Sequence, residues 1–224
     1  MAKKENDNLR LPNTLYHTFC WWFVTTLSLI WFKIFYRFKS TGSHNVPKKG
    51  SVLIIANHQS FLDPPIMGAA SYRRSFFSLA RATLWNSKTL GHIMNALKGF
   101  PVDQENADIK AMRDCISILK ADHGLMLFPE GARTEDGKTA PFEMGVFLMI
   151  KRSGCTVVPA GIEGAYDVWP RGQSKPKLFG RIAVNFGEPI PPETFKKMKG
   201  EEALKMLHDR VIELQARSAK QIGR

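Results

Sequence analysis

The stretch Ser51-Val52-Leu53-Ile54-Ile55-Ala56 runs directly into Asn57-His58-Gln59-Ser60-Phe61-Leu62-Asp63-Pro64. The first six residues are short, apolar and unbroken, so they read as a strand buried on both faces, and the polar residues and proline after them read as the loop that leaves it. A strand covered on both faces needs helices above and below it, which points to an α/β sheet domain. The chain downstream repeats the pattern. Residues 76–80, 125–128 and 156–161 read as further buried strands, with 181–186 more alternating. Helical periodicity fits 64–70, 87–97, 107–120 and 144–153, and a polar helix fits 201–216. Residues 169–180, rich in Pro, Gly and Lys, read as a surface loop.

With 224 residues, 44% hydrophobic and 23% charged, the chain can bury one substantial core, which excludes disorder and a many-domain array. The 32 Lys and Arg against 20 Asp and Glu leave a formal charge of +12, favouring polyanionic partners. A nucleic-acid partner has only that charge behind it, because the basic residues are dispersed and Glu201, Glu202, Asp209 and Glu213 dilute the C-terminal helix. Cys20, Cys115 and Cys155 are far apart and form no CxxC pair, so neither a disulfide framework nor a thiolate zinc site is expected. No metal and no resident cofactor are called for.

Residues 1–40 differ from the remainder, 41–224. From Thr18 to Phe32 there is no charge, and 10 of the 24 aromatic residues lie between Tyr16 and Phe38. This uncharged run of 15 residues is short of the roughly 20 that cross the hydrocarbon core. Trp21, Trp22, Phe23, Trp31, Phe32, Phe35 and Tyr36, flanked by Lys33, Arg37 and Lys39, suit the interfacial belt instead. One or two helices lying in one leaflet are therefore expected, as an uncleaved anchor with no small-x-small cleavage site behind it. An ordinary buried core helix is the competing reading.

Two constellations follow predicted strands. In the first, His58 and Asp63 have four residues between them at a strand end, where α/β sites are built. A carboxylate that fixes an imidazole tautomer leaves the other nitrogen free as a general base, able to activate a hydroxyl or water. Asp63 directly before Pro64 also fits a helix N-cap followed by proline, and capping alone would account for it. In the second, Phe128-Pro129-Glu130-Gly131-Ala132-Arg133-Thr134 presents a carboxylate beside a guanidinium that can grip phosphate; a plain surface turn with a local ion pair is the alternative. The stretch GARTEDGKT at 131–139 has five residues where a phosphate-binding P-loop has four, so a nucleotide hydrolase is set aside. No GxSxG elbow occurs, so nothing suggests an acyl-enzyme on serine.

Together these segments resemble the glycerolipid (lysophospholipid) acyltransferase family over roughly residues 41–192. Its NHx4D block is matched by Asn57, His58 and Asp63, its FPEGTR block by residues 128–134 with Ala132 in place of threonine, and its later Val-Pro by Val158-Pro159. One block departs: Gly99-Phe100-Pro101-Val102-Asp103 is followed by Gln104 where the family has arginine, and Arg81 is the candidate to compensate. The resemblance implies a mixed sheet flanked by helices, of the glycerol-3-phosphate acyltransferase type, with an apolar groove for the acyl chain and an N-terminal motif that docks on the bilayer. It further implies acyl transfer from acyl-CoA or acyl carrier protein to a lysophospholipid, foremost 1-acylglycerol-3-phosphate. A phosphate-free acceptor such as a lyso-ornithine lipid stays open because of Gln104, and a non-catalytic membrane-surface protein is the contrasting class. His58 would be the base, oriented by Asp63, with Glu130, Gly131, Arg133 and Arg81 holding the acceptor. The expected place is the cytoplasmic face of the cell membrane.

Overall fold

The computed structural model describes residues 15–72, 74–102 and 109–224. A helix α1 (Leu15–Tyr36) leads into a short strand β1 (Lys39–Thr41). There follow β2 (Val52–Ala56), α2 (Asp63–Ala70), β3 (Phe77–Arg81), α3 (Lys88–Ala96), β4 (Gly99–Val102), α4 (Ile109–Lys120) and β5 (Gly124–Leu127). The chain then forms α5 (Met144–Ser153), β6 (Thr156–Glu163), α6 (Ala165–Val168), β7 (Ala183–Phe186), α7 (Pro192–Lys196) and α8 (Gly200–Gln221).

The strands make one sheet in the order β1-β7-β6-β2-β5-β3-β4. The β6, β2, β5, β3 and β4 strands are mutually parallel, whereas β7 runs antiparallel to β6 and parallel to β1, so the sheet is mixed. Its centre is β2, whose residues alternate between two cores. Val52, Ile54 and Ala56 pack with Trp21, Phe32 and Tyr36 of α1 and Ile66 and Met67 of α2. Leu53 and Ile55 face Ile118 and Leu119 of α4, Ile150 of α5 and Leu207 and Val211 of α8. With both faces covered, the strand has no polar side, which is why its sequence reads as an unbroken apolar run. Helix α8 approaches β6 so closely that a Cβ at Gly161 would overlap the backbone of Leu214 and Gln215.

The strands expected at 51–56, 76–80, 125–128, 156–161 and 181–186 are all present within a residue or two. Sequence periodicity passed over β1 and β4. Both are edge strands; β1 is the fully exposed Lys39-Ser40-Thr41, and β4 carries Gly99 and Pro101, so neither has the apolar signature of a central strand.

Of the one or two helices expected near the N-terminus, one is present, a continuous helix of 22 residues that runs through Lys33. By length and composition it is able to cross a bilayer, which the 15-residue uncharged run did not indicate. Trp21, Thr25, Phe32 and Tyr36 point inward along one side, while Leu15, Phe19, Phe23, Leu27, Ile30, Trp31 and Ile34 are bare along the other. Strand β1 straddles residue 40 and adds to the sheet's edge beside β7, while Trp21, Phe32 and Tyr36 of α1 join the core.

Because β2, β5 and β3 are parallel neighbours, their carboxyl ends emerge together on one edge of the sheet. The loop 57–62 leaves β2, the loop 128–143 leaves β5, and Arg81 closes β3.

Candidate active site

The expected pair is formed. His58 Nδ1 lies 2.7 Å from Asp63 Oδ2, with Asp63 fully buried and the His58 side chain 19% exposed. The carboxylate accepts, so Nδ1 carries the hydrogen and Nε2 is left as the basic nitrogen. The same Oδ2 also accepts the backbone N–H groups of Gln59 at 2.6 Å and Ser60 at 2.7 Å. Asp63 is thus not the helix cap that its place before Pro64 suggested. Helix α2 starts at Asp63 itself, and the carboxylate turns back to bind amides of the preceding loop. The Asp63-to-His58 distance is fixed by that loop, not by helix geometry.

His58 is held from three further sides. The Phe128 ring stacks on the imidazole with centroids 4.1 Å apart and planes 13° from parallel. Its own N–H donates to Glu130 Oε1 at 2.6 Å, and its carbonyl accepts the Thr134 N–H at 2.9 Å. Glu130 Oε2 accepts the Ala140 N–H at 2.7 Å, closing the loop on itself. Upstream, the Asn57 side chain exchanges two hydrogen bonds with the backbone of Ile162, extending the β2–β6 pairing by one position through an amide side chain.

Glu130, expected to hold the acceptor, is buried with both oxygens bound to backbone amides, and these bonds fix the loop that carries His58. Burial raises its pKa above the usual carboxylate range, against the two N–H bonds that favour the anion. Gly131 supplies a turn at φ +72, closed by its N–H onto Phe128 O.

Arg133, expected to hold the acceptor, stands beside Phe61. Its guanidinium lies 3.4 Å above the Phe61 ring, and Nη1 is buried with no hydrogen-bond partner among the described residues. Burial, then the charges of Arg81 and Arg171, lower its pKa, with Asp63 acting the other way. It stays charged, since a guanidinium does not deprotonate in a protein. Arg81, at the exposed end of β3, is close enough to Arg133 for its charge to be felt there. Asp103 and Gln104 lie outside the described residues. The sequence reading missed Phe128 as the ring under His58, Phe61 as the platform for Arg133, and Arg171. All three follow apolar or loop patterns, and only their adjacency to the motifs was available as a signal.

Residues 131–139 form a compact turn in which Thr134 Oγ1 accepts the Gly137 and Asp136 N–H groups, and no helix starts until Met144, in keeping with the rejection of a P-loop. Cys115 and Cys155 are not candidates for nucleophiles: burial pushes Cys115 up to about 12 and Cys155 to about 11. Two cavities, of about 310 and 450 Å3, lie away from His58, against α8 and the 177–181 segment.

A family model described as Acyltransferase matches residues 37–163, more than half of the chain, including His58, Asp63, Glu130 and Arg133. The chain belongs to the acyltransferase family. It is 27% identical over 159 residues to a chloroplastic 1-acyl-sn-glycerol-3-phosphate acyltransferase of Arabidopsis thaliana, covering 70% of this chain and 44% of that one. It is 25% identical over 183 residues to the 1-acyl-sn-glycerol-3-phosphate acyltransferase of Bacillus subtilis, covering 79% and 87%. The chain spans about half the length of the chloroplast relatives it matches. Its fold matches the crystal structure of a 1-acyl-sn-glycerophosphate acyltransferase from Thermotoga maritima with a TM-score of 0.77 at 24% identity, over 91% of this chain and 79% of the other. His58 and Asp63 both lie within the residues that the family model matches.

Proposed function

We propose that the protein transfers a fatty acyl group from an acyl thioester to the sn-2 hydroxyl of 1-acylglycerol-3-phosphate, yielding phosphatidic acid. The observation that carries this reading is the 2.7 Å contact between the fully buried Asp63 and the partly open His58. In the step, Nε2 takes the hydroxyl proton as the oxygen forms its bond to the thioester carbonyl carbon. Collapse of the tetrahedral intermediate breaks the C–S bond, and the imidazolium returns the proton to the departing thiolate, so the enzyme ends unchanged. Asp63 stabilises the imidazolium in between. Arg133, with Arg81 close enough to be felt electrostatically, suits the acceptor's phosphate: a desolvated guanidinium with an idle N–H gains most from a doubly charged oxyanion.

The bare face of α1 supports docking on a lipid surface, where the acceptor resides. A membrane-crossing pose would strip Trp21, Thr25, Phe32 and Tyr36 from the core, so α1 lies along the bilayer with the domain beneath it. The orientation fits the cytoplasmic side, where acyl-CoA and acyl carrier protein occur, and both are acidic partners for a chain of charge +12.

The deciding assay incubates the protein in vesicles with labelled acyl-CoA or acyl carrier protein and a panel of lyso-lipids, including a phosphate-free lyso-ornithine lipid. Labelled phosphatidic acid from the wild type and none from His58→Ala at equal folding is the expected result. Product from the phosphate-free acceptor alone refutes the substrate, and undiminished product from His58→Ala refutes the mechanism.

A further inference from the structure

We propose that the 169–180 loop is a second membrane-contacting element, which inserts Leu178 and Phe179 into an anionic bilayer beside α1. The proposal rests on the lipid docking of α1 set out above and adds a contact that aromatic composition alone did not reveal. Leu178 and Phe179 are adjacent, 56% and 67% exposed, at the C-terminal end of the loop, just past the point where the Lys177 N–H closes onto Val168 O at 2.9 Å. A Leu-Phe pair left in water is unfavourable unless something covers it.

Three features identify what covers it. The first is continuity: Trp31 packs on Phe35 with centroids 4.1 Å apart, and Phe35 on Phe179 at 5.9 Å, so the pair prolongs the bare aromatic face of α1. The second is fixity. Gly180 N–H donates to Phe35 O at 3.1 Å, Tyr36 Oη–H to Lys177 O at 3.0 Å, and Ile182 N–H to Tyr36 O at 3.0 Å, which lash the pair to the end of α1. The third is charge. Lys175 and Lys177 are exposed just before Leu178 and Arg181 just after Phe179; Arg171 is paired with Glu135 at 3.1 Å, and Asp167, which lines the cavity beside Phe179, is itself paired with Arg224. An apolar pair flanked by cations matches a surface with hydrocarbon below and phosphate above.

The placement also serves the site. The loop begins at Trp169, whose ring lies 5.4 Å from Phe61 and whose carbonyl accepts the Ser60 hydroxyl at 2.8 Å, and Phe61 is the platform under Arg133. Lipid held at residues 178 and 179 is thus connected by one short segment to the loop that carries His58.

The test uses the full chain with Cys20→Ser, the buried Cys115 and Cys155 retained, and a polarity-sensitive fluorophore on Phe179→Cys or, as control, on Glu202→Cys of α8. Each is mixed with phosphatidylcholine vesicles with or without phosphatidylglycerol. With phosphatidylglycerol the label at 179 should shift to the blue and be shielded from aqueous iodide several-fold, while the label at 202 stays exposed. Lys175→Gln with Lys177→Gln should weaken binding to the anionic vesicles about fivefold per charge at low salt and leave neutral vesicles unaffected. A vesicle-bound chain whose 179 label is as open to iodide as the 202 label overturns the proposal, and so does equal shielding without vesicles, which assigns the pair to a second copy of the chain. Failure to float with vesicles at all overturns the docking of α1 as well. None of these outcomes depends on acyl transfer.

Discussion

Replacing Asp63 by asparagine separates a positioning carboxylate from a structural one. Three hydrogen bonds converge on Oδ2, and Oδ1 is buried without a partner among the described residues. An amide oxygen placed at Oδ2 keeps the Gln59 and Ser60 N–H bonds and still accepts from Nδ1, so the loop geometry survives. The amide NH2 falls where Oδ1 has no partner, which limits the change in stability to about 1–2 kcal/mol. What disappears is the negative charge. With Nδ1 and Oδ2 2.7 Å apart, the imidazolium and carboxylate charge centres are roughly 4 Å apart, worth about 4 kcal/mol at an effective dielectric near 20. That energy exists only after His58 has taken the proton, so it lowers the barrier and not the ground state. Turnover should fall by about 10^3 with KM for the acceptor little changed. Steady-state kinetics of Asp63→Asn beside a thermal melt make the measurement. Turnover within tenfold of wild type, or a loss matched by the unfolded fraction, refutes the assignment.

Arg133→Gln removes the guanidinium whose Nη1 is idle, and is expected to raise KM for a phosphate-bearing acceptor about 10- to 100-fold with little effect on turnover or on a phosphate-free acceptor; kinetics on both acceptors check this. Glu130→Gln puts an NH2 against one of the two amides at His58 and Ala140, which should cost about 1–3 kcal/mol in urea unfolding and lower turnover as His58 loosens. Glu130 also carries a pH signature. Its pKa is raised by burial, so the folded state holds more protons than the unfolded one, and its contribution to stability falls as pH rises from the ordinary carboxylate range through the raised value. Unfolding across that range should show this slope in the wild type and lose it in Glu130→Gln.

Legibility from the sequence followed burial. The central strands announce themselves because both faces are covered, and His58 with Asp63 stand out because a strand end is where the chain can afford polar residues. Edge strands β1 and β4 gave no signal, since Lys39, Ser40, Gly99 and Pro101 are tolerated only where one side is unpaired. Asp63 was ambiguous for a physical reason: Asp-Pro-Pro has the composition of a helix start, and only the reversal of the chain through residues 59–62 shows the carboxylate facing upstream. Glu130 looked like a ligand for substrate because a motif carboxylate beside an arginine has that chemistry. Its two amide partners, 72 residues and 10 residues distant, are set by strand order and are invisible to spacing. Helix α1 exceeded its uncharged run because one lysine on a helix keeps its stem on apolar surface while its ammonium reaches water.

The adjacency of β2, β5 and β3 explains why the chemistry is divided among segments so far apart in sequence. The base and its carboxylate leave β2, the ring and amides that immobilise the base leave β5, and the second cation closes β3. An imidazole on a free loop would lose its alignment with the acceptor, because a misplacement of about 1 Å is enough to cost two orders of magnitude in rate. Here the N–H and the carbonyl of His58 are both bonded to the neighbouring loop, so the ring's only remaining freedom is rotation about its own side-chain bonds, and Asp63 and Phe128 remove that. The order of the motifs along the chain is therefore a consequence of strand order, and the Phe-Pro-Glu-Gly-Ala-Arg segment serves the base first and the acceptor second.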